Sequence, residues 1–141
     1  NGIPGTPEER LRVSEKILNR ATGMGIPPED VIIDPLVMSV GSDSRAARVT
    51  LKTIELVREK LGLNISLGAS NVSHGLPERP LVNQAFLALA MGAGATCMIT
   101  DPSKATLFLR AADLLLGHDP DGMGYIKTFR KMQRLEAQKT G

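Results

Sequence analysis

The chain has 141 residues, 42% of them hydrophobic and 23% charged, the balance of an ordinary globular domain rather than of a disordered segment. Its formal net charge of +2 is too small to draw nucleic acid or an acidic membrane surface. Aromatic residues make up only 3%, with no Trp, so stacking platforms for bases and sugars are poorly supplied.

The opening residues, Asn1 to Gly5, read as a loop. Thr6-Pro7-Glu8-Glu9 is a helix start, in which Thr6 caps, Pro7 suits the first helical position and Glu9 completes a capping box. Leu11, Ile17 and Leu18 supply the apolar face, and Gly23 and Gly25 end the helix. Pro27-Pro28-Glu29-Asp30 then turns the chain into an apolar run, Val31-Ile32-Ile33, which suits a parallel strand over 31–34 buried on both faces. Asp34-Pro35 stops it. The grammar repeats. Ser42-Asp43-Ser44 precedes a helix to about Leu61, with Val49, Ile54, Leu56 and Val57 apolar, and Gly62 ends it. A second strand spans 64–68, a polar loop spans 69–79, and an apolar helix spans 80–93. Gly94-Ala95 breaks that helix before a third strand over 96–99. Thr100-Asp101-Pro102-Ser103 caps a helix to about Leu116, and the tail over 119–141 is Gly-rich, then basic and helical from Tyr125.

A helix, three strand–helix units and a tail make an α/β chain with a parallel sheet covered by helices. Right-handed crossovers serve an open doubly wound sheet and a barrel alike. The placement of polar residues favours the barrel, because Asp34, Ser70-Asn71 and Asp101 all follow the carboxyl ends of successive strands. Three strands cannot close a barrel of the usual eight, so residues 1–141 read as part of a single barrel domain whose other strands come from elsewhere. Cys97, lone and in an apolar strand, excludes an intrachain disulfide, reads as a buried small hydrophobe and fits a reducing compartment. No signal-peptide pattern opens the chain, and no apolar run nears the ~20 residues that cross a bilayer. The expectation is a cytoplasmic protein.

Two segments carry more than a fold class: Val31-Ile32-Ile33-Asp34-Pro35-Leu36, and the stretch over 67–83 that reads LGASNVSHGLPERPLVN, followed by Phe86-Leu87. In order and spacing they resemble the methyltetrahydrofolate:corrinoid/iron–sulfur protein methyltransferases, and the folate domain of cobalamin-dependent methionine synthase is similar in the same places. Gly-x-Ser-Asn-x-Ser at a strand end is the specific motif; a lone Asp-Pro is weak. The resemblance spans nearly the whole chain. It implies a pterin-binding (β/α)8 TIM barrel of which this is the C-terminal portion, strands six to eight.

The resemblance further implies transfer of the N5 methyl group of methyltetrahydrofolate to cobalt(I) of a corrinoid (cobalamin) on a partner protein, with no metal bound by the chain itself and a homodimeric whole. The asparagine matching Asn71 contacts N5 in that family. An amide carries donors and an acceptor, so it can follow N5 through protonation and favour the transition state. Asp34 becomes the anchor for the amino group and ring N–H of the pterin edge. Gly68, Ser70 and Ile99 match positions around the same pocket, and Arg79 matches an arginine on the pterin side of the loop. His74 joins that set by position, standing where the family has an amide side chain.

Blander readings stand beside these. Asp34 before proline also suits a strand-ending cap, Asn71 a turn, Arg79 a solvated loop charge and Asp101 a helix cap. The run His118-Asp119-Pro120-Asp121-Gly122 looks like a metal loop but lacks the ligand pattern of a calcium site and reads as a turn. Two other functions compete: a dihydropteroate synthase-like pterin enzyme, and a non-catalytic fragment or interaction module. The former carries a basic motif near the end of the barrel, where this chain has Thr100-Asp101-Pro102.

Overall fold

The computed structural model describes residues 2–139; Asn1 of the opening loop, and Thr140 and Gly141 of the tail, lie outside the described residues. Compact packing divides the chain into two units that meet in sequence at Thr100 and Asp101.

The first unit begins with helix α1 (Pro7–Thr22). Its capping box is formed: Glu9 N donates to Thr6 Oγ1 at 3.2 Å, and Thr6 N donates to the Glu9 carboxylate at 3.1 Å. The Thr6 and Gly5 amides hold the Glu9 carboxyl below the usual glutamate range. The expected apolar face of α1 needs correction, because Ile17 is 48% exposed while Arg10 and Ser14 are buried. Helix α2 (Ala46–Leu61) packs against α1 and buries Thr50, Thr53, Ile54 and Val57. Gly62 ends α2 in the left-handed region at φ 67, a conformation that glycine adopts without a Cβ penalty.

Strands β1 (Ile32–Ile33), β2 (Asn64–Gly68) and β3 (Cys97–Ile99) form a parallel sheet in the order β1-β2-β3. The connecting helices α2 and α3 (Arg79–Gly92) pack on each other, as expected if the crossovers between sequential parallel strands follow the right-handed rule and place both on one face. That is the winding of a barrel segment, and the reversal that marks a doubly wound sheet does not occur among the described strands.

Burial agrees. Val31, Ile33, Pro35 and Val37 are buried and the residues between them exposed, while Ile65 and Leu67 of β2 are fully enclosed with Phe86 and Leu87 of α3. Each such side chain contributes about 1.5–3 kcal/mol by leaving water. The expectations that the strand over 31–34 is buried on both faces and that Cys97 is buried are therefore wrong for this chain. Ile32 is 59% and Ile99 66% exposed, and Cys97 is exposed, not buried. The physical reason is the sheet: within the first unit helices cover one side, β3 is an edge, and the described residues of that unit provide no second layer for the other side.

Between α3 and β3, Gly94 takes φ +107, and a Cβ there would meet Arg58 Cγ at 2.8 Å. The tight passage delivers Thr96, whose Oγ1 accepts from Ile65 N at 2.9 Å and starts the β2–β3 pairing.

The second unit is a helical pair, α4 (Pro102–Leu115) and α5 (Met123–Lys139), packed on each other. Asp101 caps α4, accepting from Ser103 N at 2.9 Å. Asp119 starts α5 by accepting from Gly124 N and Tyr125 N, both at 2.8 Å, so the metal-like run 118–122 is the entry to a helix. Among the described residues no helix is long and apolar enough to cross a membrane.

Candidate functional site

The parallel register pairs Ile32 with Asn64 and Ile33 with Ile65, so the carboxyl ends of β1 and β2 point the same way. Asp34 leaves the first end and residues 69–76 leave the second. Gly68, at the end of β2, is in register with Ile99 of β3.

Asp34 is exposed, and its Oδ1 accepts from Leu36 N at 2.8 Å. This turn fixes one oxygen and leaves the other, with further lone pairs, open. Leu36 sits at φ 61, in the left-handed region that costs a non-glycine residue roughly 1–2 kcal/mol. The neighbouring carbonyls are held from below: Arg10 Nη1 donates to Pro35 O and to Leu36 O, each at 2.8 Å, and the single Thr50 hydroxyl proton is shared between Leu36 O and Ala46 O, each at 3.1 Å.

After Gly68, residues Ala69–Asn71 form a single tight 3-10 turn closed by Val72 N donating to Ala69 O. Ser70 and Asn71 are exposed above buried Ala69, Val72 and Ser73. Gly68 itself has ordinary extended angles, φ −89 and ψ 106, and a Cβ there would meet nothing within 4 Å. The backbone does not demand a glycine; the space beside it is open. Arg79 is exposed, and its guanidinium folds back over the loop. Its Nε donates to Ser73 Oγ at 3.1 Å and its Nη2 to Ser70 O at 2.8 Å. This pins the carbonyl of the residue before Asn71. His74 is exposed, with its amide donating to Asn71 O at 3.1 Å.

A clasp joins the two loops. Val40 N donates to Val72 O at 3.0 Å, and Ser39 Oγ donates to His74 O at 2.7 Å. Gly41 makes this approach possible, since a Cβ there would meet His74 O at 3.0 Å. Asp34, Gly68, Ser70, Asn71, His74, Arg79 and Ile99 thus all belong to the first unit: Gly68 and Ile99 end strands, Asp34, Ser70, Asn71 and His74 follow strand ends, and Arg79 opens α3. Asp101, by contrast, caps a helix of the second unit, and the Ser103 hydroxyl and amide hold its carboxyl below the usual range.

Sequence reasoning missed Arg10, Thr50 and Ser39. Arg10 had a signal: with Ser14 and Leu18 it forms a stripe at spacing four along α1, and a charge on a helix's packed stripe asks for a partner. Ser39 carried none. Asn83, four residues past Arg79, also buries its Oδ1 without a hydrogen bond. Among the described residues no group of three or more His, Cys, Asp or Glu is arranged to hold a metal ion.

Residues 5–101 match the model of a family described as pterin binding enzyme. Over 133 residues the chain is 33% identical to a methylcorrinoid:tetrahydrofolate methyltransferase of Eubacterium limosum, a stretch covering 92% of this chain and 49% of that protein. The chain therefore spans about half the length of the curated relative it matches.

Proposed function

The chain belongs to the pterin-binding enzyme family, and from that membership we propose that it supplies strands six to eight of a (β/α)8 barrel for methyl transfer between a pterin and a corrinoid. The methyl group moves between N5 of tetrahydrofolate and the cobalt of a corrinoid presented by a partner protein. The single observation that carries this reading is the shared strand end: an exposed carboxylate, Asp34, beside an exposed Ser70–Asn71 turn over open space at Gly68. The remaining strands belong to the half of the relative's length that this chain does not span, and the uncovered sheet face with Ile32 becomes barrel interior.

The chemistry explains the residue types. When methyltetrahydrofolate is the donor, the cobalt(I) electron pair forms the Co–C bond and the N5–C pair returns to nitrogen. An amine anion is a poor leaving group, so N5 must gain a proton or a strong hydrogen bond. Asn71 is the catalytic residue: its amide accepts from protonated N5 and donates to the neutral nitrogen, which favours the transition state over either ground state. Asp34 takes the amino group and ring N–H of the pterin edge as a charge-assisted pair. Ser70, His74, Arg79 and Ile99 line the pocket, with Arg79 also holding the Ser70 carbonyl and the Ser73 hydroxyl. The relative's name puts methylcorrinoid first and tetrahydrofolate second; the same transition state serves both directions, and supply of donor decides which runs.

A dihydropteroate synthase-like activity is disfavoured by Asp101, an acidic helix cap where that activity calls for a basic group on a phosphate-bearing substrate. A dimeric whole and a cytoplasmic site belong to the same proposal. The test is Asn71→Ala in the complete protein: methyl transfer to a cobalt(I) corrinoid falls by about 10²-fold or more while pterin affinity changes little. Equal rates for the two proteins would remove Asn71 from the mechanism.

A further inference from the structure

Arg10 is used by nothing in this chemistry, yet it is 8% exposed and packed between helices. Among the described residues its acceptors are uncharged oxygens: Pro4 O from Nε at 3.2 Å, Pro35 O and Leu36 O from Nη1 at 2.8 Å each, and Thr50 Oγ1 at 3.4 Å. Burial lowers its pKa, but a guanidinium starts so high that it stays charged at neutral pH. A leucine there would serve the packing of α1 at lower cost, since a buried charge loses its hydration. The guanidinium must be serving the backbone it touches.

That backbone is the turn carrying Asp34. Leu36 is held at φ 61, a conformation leucine rarely adopts, and it is gripped on both sides. Its carbonyl is held by Arg10 and Thr50, and its amide holds Asp34 Oδ1 at 2.8 Å. If the Pro35–Leu36 peptide flipped, taking Leu36 to negative φ, Pro35 O would leave Arg10, the Leu36 N–H would turn away with it, and the carboxylate would lose the bond that fixes its rotamer. We propose that Arg10, assisted by Thr50, is a positioning residue that holds Leu36 left-handed and thereby aims the Asp34 carboxylate at the pterin edge. This rests on the reading of Asp34 as the pterin anchor.

The test uses the complete protein, with methyltetrahydrofolate as probe. Arg10→Met weakens pterin binding about tenfold, while the methyl-transfer rate at saturating pterin stays within about twofold of wild type. In the pterin-free protein the Leu36 amide exchanges faster. A structural strut alone would not be rescued by a change of backbone preference, so the decisive variant adds Leu36→Asn, a residue tolerant of positive φ. The double variant recovers most of the affinity. Should Arg10→Met fail to fold, Thr50→Val removes the second donor to Leu36 O and gives a smaller loss of about two- to fivefold, again rescued by Leu36→Asn. Unchanged affinity in folded Arg10→Met or Thr50→Val, or no rescue, overturns the proposal. Asp34→Ala in the same titration separates the two failures. If it binds pterin as wild type does, the anchor reading falls; if it alone loses binding, only the role of Arg10 falls.

Discussion

Replacing Gly68 with alanine asks one residue two separate questions, and the proposed pocket requires opposite answers. The backbone at 68 lies at φ −89 and ψ 106, where any L-residue is comfortable, and the new Cβ would have no atom within 4 Å. Alanine therefore adds no strain to the protein itself and narrows the unfolded ensemble. That stabilises by about 0.4–1 kcal/mol, or roughly 1–4 °C in melting temperature for a chain of this size. The same methyl group projects into the open space next to Asn71 that a pterin ring would fill. Displacing the ring from contact weakens binding by at least about tenfold, or ~1.4 kcal/mol. Thermal unfolding and calorimetric titration with methyltetrahydrofolate read the two effects from one preparation. A more stable protein with unchanged folate affinity would refute the placement of the ring over Gly68. A protein that melts lower would refute the claim that the space is open.

Gly41→Ala acts on the clasp between the two loops. Its Cβ comes within 3.0 Å of His74 O, and pushing that carbonyl away loosens the Ser39 and Val40 bonds, together worth about 1–2 kcal/mol. Hydrogen exchange at the Val40 amide should quicken by roughly 5- to 30-fold, and an unchanged rate would mean that the clasp does not close the loops. Asp119 gives a pH signature in the second unit. The Gly124 and Tyr125 amides depress its carboxyl below the usual range. Its stabilisation is therefore complete above the unfolded value, near about 4, and is lost as pH falls through the lower folded value. Acid unfolding of wild type below about pH 4 should be steeper than that of Asp119→Asn; equally steep curves would contradict the capping role.

Local signals in the sequence carried the fold a long way. Thr6 with Glu9, Gly62, and Asp101 before Pro102-Ser103 each state their helix end within a few residues, because capping is satisfied by near neighbours. Burial was less legible. Val31-Ile32-Ile33 is equally apolar throughout, and nothing in the run tells the exposed Ile32 from the buried Val31 and Ile33 beside it. The Asp34 and Ser70–Asn71 positions could be read because they follow strand ends. The groups that steady them could not: Arg10 lies 25 residues from Pro35, and Ser39 lies 35 from His74. Such pairings are set by packing of α1 and α2 and by loop geometry, and no periodicity announces them. Arg79 is exposed, as a loop charge would be, yet its guanidinium also donates to Ser70 O and Ser73 Oγ, which no local pattern announces.

The central claim is that Asp34 and the Gly68–Asn71 turn form a pterin site, and the most direct measurement is calorimetric titration of methyltetrahydrofolate into the complete protein, wild type beside Asp34→Ala. Saturable one-to-one binding by wild type, lost or weakened at least about 100-fold in a folded Asp34→Ala protein, is the predicted result, since a charge-assisted pair is worth about 1.5–3 kcal/mol and the pterin's two donors would be left unmet. No folate binding by the intact wild type, or equal binding by both proteins, would contradict the account.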